Sequence, residues 1–344
     1  MTDTTWPDVL GPLVAKTDLA PDAVEWAMSR ILEDDATDAQ IAGFALGLRA
    51  KGETPIELAA LVETMLQYSE RVTVAPGAID TCGTGGDRAG TVNVSTMAAL
   101  VAVGAGARVV KHGNRAASSQ CGSADVLEAL GVVIDLGPAG VESCIAEAGI
   151  GFCFAQRFHP ALRFAAPARK ELGVPTTFNF LGPLANPARV RRQVIGVSDP
   201  SMAERVIGTL AVLGTEHAMV FYGHDGLDEL TTTSASTVFS LADGAVTHFD
   251  VDPSELGFAR ADRAALAGGD AAANAVIVRE VLDGAPGPVR DVVLLNAAAA
   301  IVVAGLATDL AHGVDLARDA IDTGRGAKAL ASFVAASAAA GGAP

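Results

Sequence analysis

Asp80-Thr-Cys-Gly-Thr-Gly-Gly-Asp87 is followed by Asn93-Val-Ser-Thr96 and, past an apolar run, by Lys111-His-Gly-Asn-Arg-Ala-Ala-Ser-Ser119. Residues 78–81 read as a short strand entering the glycine loop, 94–103 as an almost wholly apolar helix, and 107–111 as the next strand. A second loop leads to a helix over 124–130 and a strand over 132–135, then a helix over 139–148 and a strand over 151–155. This strand–helix–strand rhythm predicts a parallel sheet with right-handed crossovers. Ligands of open α/β sheets bind beyond the carboxyl ends of the strands, where both loops fall.

Upstream, residues 23–32, 38–50 and 55–68 repeat apolar side chains at helical spacing, which predicts a small helical unit. Thr37-Asp38 and Thr54-Pro55 are start signals, and Gly52 is a stop. Downstream, the rhythm breaks over 159–187, read as a helix at 161–172 and a loop at 178–187. It resumes with a strand at 193–197, a helix at 202–213 and a strand at 217–222. Helices follow at 271–282, 291–305 and 313–322, with a last one from 327 and a frayed alanine-rich end over 335–344.

A chain of 344 residues has room for about two domains. Half of it is hydrophobic but only 5% is aromatic, so the core must be built of Ala, Val, Leu and Ile. The most apolar stretches, 97–107 and 297–307, fall short of the ~20 residues a bilayer requires. Met1-Thr-Asp-Thr-Thr5 has neither a basic start nor an apolar run, so no secretory signal is read. Cys82, Cys121, Cys144 and Cys153 form no CxxC pair and no metal-type spacing with the histidines, and a cytoplasmic location is expected. The net charge of −16 argues against nucleic-acid binding. It also means that any anion site needs its own local positive charge, and basic residues do cluster at Lys111, His112 and Arg115, and again from Arg163 to Arg192.

Each motif has a chemical reading. Glycines let a main chain approach a ligand closely and offer N–H groups to phosphate oxygens. Ser95 or Thr96 could simply cap the apolar helix, or the helix N-terminus and its hydroxyls could face a phosphate. A Lys, an Arg and two hydroxyls within one small-residue loop suit an anion. Asp228-Glu229, beyond another strand, are either surface acids or hard oxygen ligands for Mg²⁺ beside a diphosphate.

Together with Gly122-Ser-Ala-Asp-Val-Leu-Glu-Ala-Leu-Gly131, Arg169-Lys-Glu-Leu-Gly173 and Asn179-Phe-Leu-Gly-Pro-Leu-Ala-Asn-Pro187, these motifs resemble the anthranilate phosphoribosyltransferases over almost the whole chain. The resemblance implies a fold like that of the pyrimidine nucleoside phosphorylases. A helical domain over 1–72 would join an α/β domain over 73–159 and 191–344 with a mostly parallel sheet, residues 160–190 returning to the former or to the hinge. It implies a homodimer joined through the helical domain and no partner of nucleic acid or membrane. The implied reaction passes phosphoribose from phosphoribosyl diphosphate to the amino group of anthranilate.

Carried over by similarity, the phosphoribosyl diphosphate site comprises Gly83, Gly86, Asp87, Thr91, Asn93, Val94, Ser95, Thr96, Lys111, His112, Gly113, Asn114, Arg115, Ala116, Ala117, Ser118, Ser119 and Ser123. Gly83, His112, Asn114, Arg169 and Pro183 would meet anthranilate, and Ser95, Asp228 and Glu229 would hold Mg²⁺. From the residues alone, Arg169 is as well read as a cation closing a helix C-terminus. The rival readings are a pyrimidine nucleoside phosphorylase and a non-catalytic nucleic-acid-binding relative. The GTGGD loop, Asn114-Arg115 and the 179–187 motif speak against the first, the acidic charge and Asp228-Glu229 against the second.

Overall fold

The computed structural model describes residues 4–342 apart from 86, 88 and 117–119. The chain opens with four helices, α1 (Trp6–Val14), α2 (Pro21–Leu32), α3 (Asp38–Lys51) and α4 (Pro55–Gln67). The first precedes the helices read from periodicity. Both predicted starts are capping boxes: Thr37 with Gln40, and Thr54 with Glu57. Gly52 ends α3 at φ +92°, a conformation that favours glycine. Glu57 is completely buried, and its carboxylate accepts from the Leu19 and Thr54 N–H groups and from Lys51 Nζ, each at 2.8 Å.

The α/β part follows as β1 (Asp80–Gly83), α5 (Val94–Gly104), β2 (Val109–Gly113), α6 (Ser123–Leu130), α7 (Pro138–Ala148) and β3 (Ile150–Phe154). The predicted strand at 132–135 is not one: these residues pass from α6 to α7 without pairing, although Val132 and Ile134 are buried. Their apolar alternation serves packing under the helices rather than a ladder. Next come a single turn α8 (Ala155–Phe158), a 3₁₀ stretch (Pro160–Ala165), α9 (Ala166–Leu172), α10 (Phe178–Leu181) and a second 3₁₀ turn (Gly182–Leu184). The helix predicted at 161–172 is thus divided, with Pro167 in the first turn of its second part. The segment read as a loop at 178–187 is in large part helical turns.

β4 (Arg192–Gly196), α11 (Pro200–Val212) and β5 (His217–Gly223) complete the parallel part. β6 (Ser236–Ala242) and β7 (Ala245–Val251) then add an antiparallel hairpin that the sequence reading passed over. Six of the seven residues of β7 are exposed, so an edge strand of this kind shows no burial pattern. Helices α12 (Ala271–Leu282), α13 (Pro288–Val303), α14 (Leu310–Asp322) and α15 (Arg325–Gly341) close the chain. The end expected to fray is helical to Gly341, and Phe333 and Ala336 anchor it in the core.

The strand order is β1-β4-β5-β6-β7, and the parallel pair β2-β3 joins it through a bridge from Ile79 to Val109. Strand periodicity decides which core each residue enters. Val194, Met219 and Phe221 face a core built with α5 and α13, whereas Ile195, Ala218 and Val220 face the core of the helical unit. Helix α11 covers that second face with Met202, Val206, Ile207 and Leu210. The helical unit and the sheet therefore share apolar packing. Small residues make the other face thin: a Cβ on Gly104 would come within 2.8 Å of the Gly326 backbone. Among the described residues, no helix is long and apolar enough to cross a membrane.

Removing the buried Glu57 carboxylate leaves Lys51 and two N–H groups without their acceptor. Glu57→Ala should cost roughly 3 kcal/mol of stability, measured by urea unfolding; a loss below roughly 1 kcal/mol would contradict this account of the α3–α4 junction.

Candidate active site

Both sequence loops open onto one cleft of about 690 Å³. Its floor is a set of strand ends. Gly83 ends β1 and Gly196 ends β4, and the two are register partners. A Cβ on Gly83 would lie 2.4 Å from Asp228 Oδ2, and one on Gly196 only 1.7 Å from the Asp228 carbonyl oxygen. Two adjacent glycines thus make the space in which Asp228 sits. From there its Oδ2 accepts the Gly85 N–H at 2.7 Å, fixing the glycine loop, where Gly85 has φ +65°.

The N-terminus of α5 forms the next wall. Its N-cap is Asn93, not Ser95 or Thr96, and the Asn93 side chain makes no capping bond. Instead Asn93 Nδ2 donates to the Cys121 carbonyl at 3.1 Å, and Oδ1 accepts from Asn274 of α12 at 2.9 Å. With its capping side chain used elsewhere, the start of α5 turns its N–H groups to main-chain carbonyls, Val94 to Val92 at 2.8 Å and Thr96 and Met97 to Asn93 at 3.2 and 3.1 Å. The Ser95 N–H reaches the Glu229 carboxylate. Thr96 Oγ1 is buried without a hydrogen-bond partner among the described residues.

Lys111 belongs to β2 and not to the following loop. It is 2% exposed, and its Nζ donates to the Thr81 carbonyl at 2.5 Å and to Ser95 Oγ at 3.1 Å. Burial lowers its pKa despite Asp80 nearby, and burial raises Asp80 to about 6 against the same attraction. Asp80 accepts the His112 N–H at 3.1 Å and Asn186 Nδ2 at 2.8 Å, tying β1 to β2 and to the 182–187 turn. His112 Nδ1 lies 2.9 Å from the Gly182 carbonyl, which accepts its proton. That leaves Nε2 as a buried lone pair with no partner among the described residues. Burial and the neighbouring His159 push the His112 pKa down to about 3.

The loop after β2 is closed by Asp125, which accepts the N–H groups of Ala116 at 3.0 Å and Gly122 at 2.8 Å. A Cβ on Gly122 would strike the Ala116 nitrogen at 2.4 Å, so backbone lies directly on backbone here. Arg115, read as an anion ligand, has its guanidinium bonded to Asp125 and Glu128 and lies over the Phe154 ring. Its charge is compensated within the protein.

Gly83, Asp87, Thr91, Asn93, Val94, Ser95, Thr96, Lys111, His112, Gly113, Asn114, Arg115, Ala116, Ser123, Asp228 and Glu229 all line the cleft. Gly86, Ala117, Ser118 and Ser119 lie outside the described residues. Arg169 and Pro183 are not among the lining residues, although their neighbours Gly173, Asn179 and Phe180 are. Pro183 is buried, and its carbonyl accepts from Gln193 Nε2 at 3.3 Å. Arg169 lies on the last turn of α9 over the Phe178 ring, half-buried, with no ion pair or hydrogen bond to a described residue. Burial lowers its pKa.

The helical bundle domain model of the glycosyl transferase family matches residues 7–69, and the a/b domain model of that family matches residues 75–327. An anthranilate phosphoribosyltransferase from a Nocardioides species is 56% identical over 97% of this chain and 99% of its own length. That from Rhodococcus jostii is 54% identical over 96% of this chain and 92% of its own. The chain belongs to the anthranilate phosphoribosyltransferase family. Among solved structures of that family, the Thermus thermophilus enzyme superposes with a TM-score of 0.91 at 38% identity, covering 96% of this chain and 99% of its own. The Saccharomyces cerevisiae enzyme in complex with PRPP and Mg gives 0.88 at 26% identity, covering 98% and 99%.

Family membership makes the carboxylates of the cleft the natural test for a metal. Asp228 is raised to about 7 by burial and by the charge of Asp87, and Glu229 is raised well above the usual range by burial and by Asp228. Acids that repel one another in a buried wall suit a divalent cation. Among the described residues, no three His, Cys, Asp or Glu side chains are placed to hold an ion alone. Both facts fit Mg²⁺, which takes one or two carboxylates and completes its shell with water and substrate phosphate.

The sequence reading missed Gly196, Asp80 and Asn274. Gly196 had a signal, being a glycine at the end of a strand beside the glycine loop. The other two are single polar residues whose partners are distant in the chain. Gly196→Ala places a methyl group against the Asp228 backbone, and displacement by about 1 Å is enough to lower kcat/KM by about 100-fold. Wild-type turnover with an unchanged circular-dichroism spectrum would contradict the close contact.

His112 and His159 both titrate below the ordinary 6.5 in the folded chain. Unfolded imidazoles therefore take up protons that the native ones refuse. The contribution of His112 is full above pH 6.5 and is lost as pH falls toward about 3, and that of His159 has the same sign. His112→Gln should flatten the fall in stability between these limits, measured by urea unfolding at a series of pH values; an unchanged slope would contradict the buried neutral ring.

Proposed function

We propose that the protein transfers phosphoribose from phosphoribosyl diphosphate to the amino group of anthranilate, giving N-phosphoribosyl-anthranilate and diphosphate in tryptophan biosynthesis. The observation that carries the reading is the meeting, in one cleft, of the N-terminus of α5 with the Asp228-Glu229 pair. One supplies the positive end of a helix dipole for phosphate, the other oxygens for the cation that accompanies it. The guanidinium of Arg169, over the Phe178 ring and without an ion pair or hydrogen bond to a described residue, supports a carboxylate-bearing acceptor.

In this reading Asp228, Glu229 and Ser95 would hold Mg²⁺, which neutralises charge on the departing diphosphate when bound. The positive end of the α5 dipole and the hydroxyls of Ser95 and Thr96 face phosphate oxygens. Asp80 and Asp125 do not touch substrate; they fix the backbone that does. The aromatic amine is neutral at physiological pH, so it needs no base before attack. As the C1–O bond to diphosphate breaks, the amine nitrogen forms the new C1–N bond from the opposite face and then loses its proton. The chain's main contribution is positioning, with electrostatic stabilisation of the leaving group.

We also read the protein as a cytoplasmic homodimer joined through the helical unit. Val14 of α1, 86% exposed, together with the exposed Leu46 of α3 and Ile56 of α4, supports an apolar contact there. None of the four cysteines forms a disulfide, as suits a reducing compartment. Light scattering should give twice the chain mass, and a monomer mass at micromolar concentration would contradict the dimer.

Anthranilate fluorescence should decay when phosphoribosyl diphosphate and Mg²⁺ are added. Release of base from thymidine with phosphate, and no such decay, would decide for a nucleoside phosphorylase. Arg169→Ala should raise the KM for anthranilate by about tenfold or more, and that for phosphoribosyl diphosphate far less. Equal effects would remove Arg169 from the acceptor site. Asp228→Asn with Glu229→Gln should lower kcat and weaken the response to Mg²⁺, whereas unchanged activity would exclude both as ligands.

A further inference from the structure

Arg49 enters the cleft wall from the helical unit, and the reaction described above makes no use of it. It stands in the last turn of α3, and its guanidinium reaches residues well beyond that helix. Nη2 donates to Asp199 at 2.6 Å, and Nη1 lies 3.5 Å from Glu53, whose side chain is fully buried. The guanidinium carbon sits 4.9 Å from the centre of the Phe180 ring.

Asp199 leads onward to the glycine loop. It directly follows Ser198, whose N–H donates to Thr84 Oγ1 at 3.3 Å and whose hydroxyl donates to the Gly85 carbonyl at 3.0 Å. Gly85 in turn donates to Asp228. Phe180 lines the same cleft from α10, in the turn that also carries Asn179. One cation of the helical unit thus bears on two separate stretches of the cleft lining. A half-buried ion pair near the surface contributes modest stability by itself; its connections are what distinguish it.

We propose that Arg49 is a positioning residue for phosphoribosyl transfer: by holding Asp199 and Phe180 it keeps the glycine loop and the acceptor wall at a fixed separation. It touches no reacting atom. The inference rests on the functional reading above, because the separation it sets is the one between that reading's two substrates.

Two variants test it without orphaning a buried charge. In Arg49→Ala, Glu53 keeps Arg205 at 3.1 Å and Thr177 Oγ1 at 2.6 Å. In Asp199→Asn, the cap on α11 survives, because asparagine caps as well as aspartate. Steady-state kinetics and calorimetric titration with Mg²⁺ and phosphoribosyl diphosphate are the readouts. Each single variant should lower kcat/KM and weaken phosphoribosyl diphosphate binding by about tenfold. The double variant should be no worse than either, and Arg49→Lys should recover part of the loss. Lys51→Met, which breaks the nearby buried pair with Glu57, should lower Tm and leave both KM values unchanged.

Wild-type KM values and affinity in Arg49→Ala, or additive losses in the double variant, would overturn the proposal. A wild-type protein that binds no phosphoribosyl diphosphate would sink the functional reading and this inference together. A wild type that binds it, with Arg49→Ala binding equally well, would sink the inference alone.

Discussion

The contact of Asp228 with the glycine pair at the ends of β1 and β4 is the constraint on which the site depends. No side chain larger than hydrogen fits at Gly196, where a Cβ would lie 1.7 Å from the Asp228 carbonyl oxygen. Because the two glycines are register partners, the strands can accept the Asp228 backbone across both ends at once. The consequences run outward from there. Asp228 holds Gly85, Gly85 orders the glycine loop, and Ser198 carries the same loop to α11 and the helical unit. The parallel sheet matters to function because it presents these ends side by side.

Charge explains why the construction must be so local. A chain with net charge −16 repels an anionic substrate at a distance. Its two most obvious cations in the cleft are occupied: Lys111 with Thr81 and Ser95, and Arg115 with Asp125 and Glu128. What remains for phosphate is the positive end of the α5 dipole, with the hydroxyls of Ser95 and Thr96 beside it. What remains for a metal is a group of acids whose burial and mutual repulsion oppose ionisation, Asp228 being raised to about 7. A cation arriving with the diphosphate relieves that repulsion and the substrate's charge together. The acidic cluster and the anion site, which look contradictory separately, are two halves of one arrangement.

Much of this was legible in the chain because the deciding signals are local. Strand, glycine loop and apolar helix stand consecutively at 78–103, and the capping boxes at Thr37 and Thr54 are complete within four residues. What escaped depends on partners distant in sequence. Asp80 has meaning only beside Asn186 and His112, and Asn274 only beside Asn93. The β6–β7 hairpin escaped because its outer strand buries almost nothing, and the false strand at 132–135 was read because buried connections also alternate. Arg115 shows the limit most clearly: its position in the loop was read correctly, but the carboxylates that neutralise it lie on the next helix.

The most direct test of the central claim is the position of the metal. Anomalous scattering from crystals grown with Mn²⁺ and phosphoribosyl diphosphate should show a peak bounded by Asp228, Glu229 and the diphosphate, beside the N-terminus of α5. A metal peak elsewhere, with the diphosphate away from the Gly83–Gly196 floor, would contradict the account.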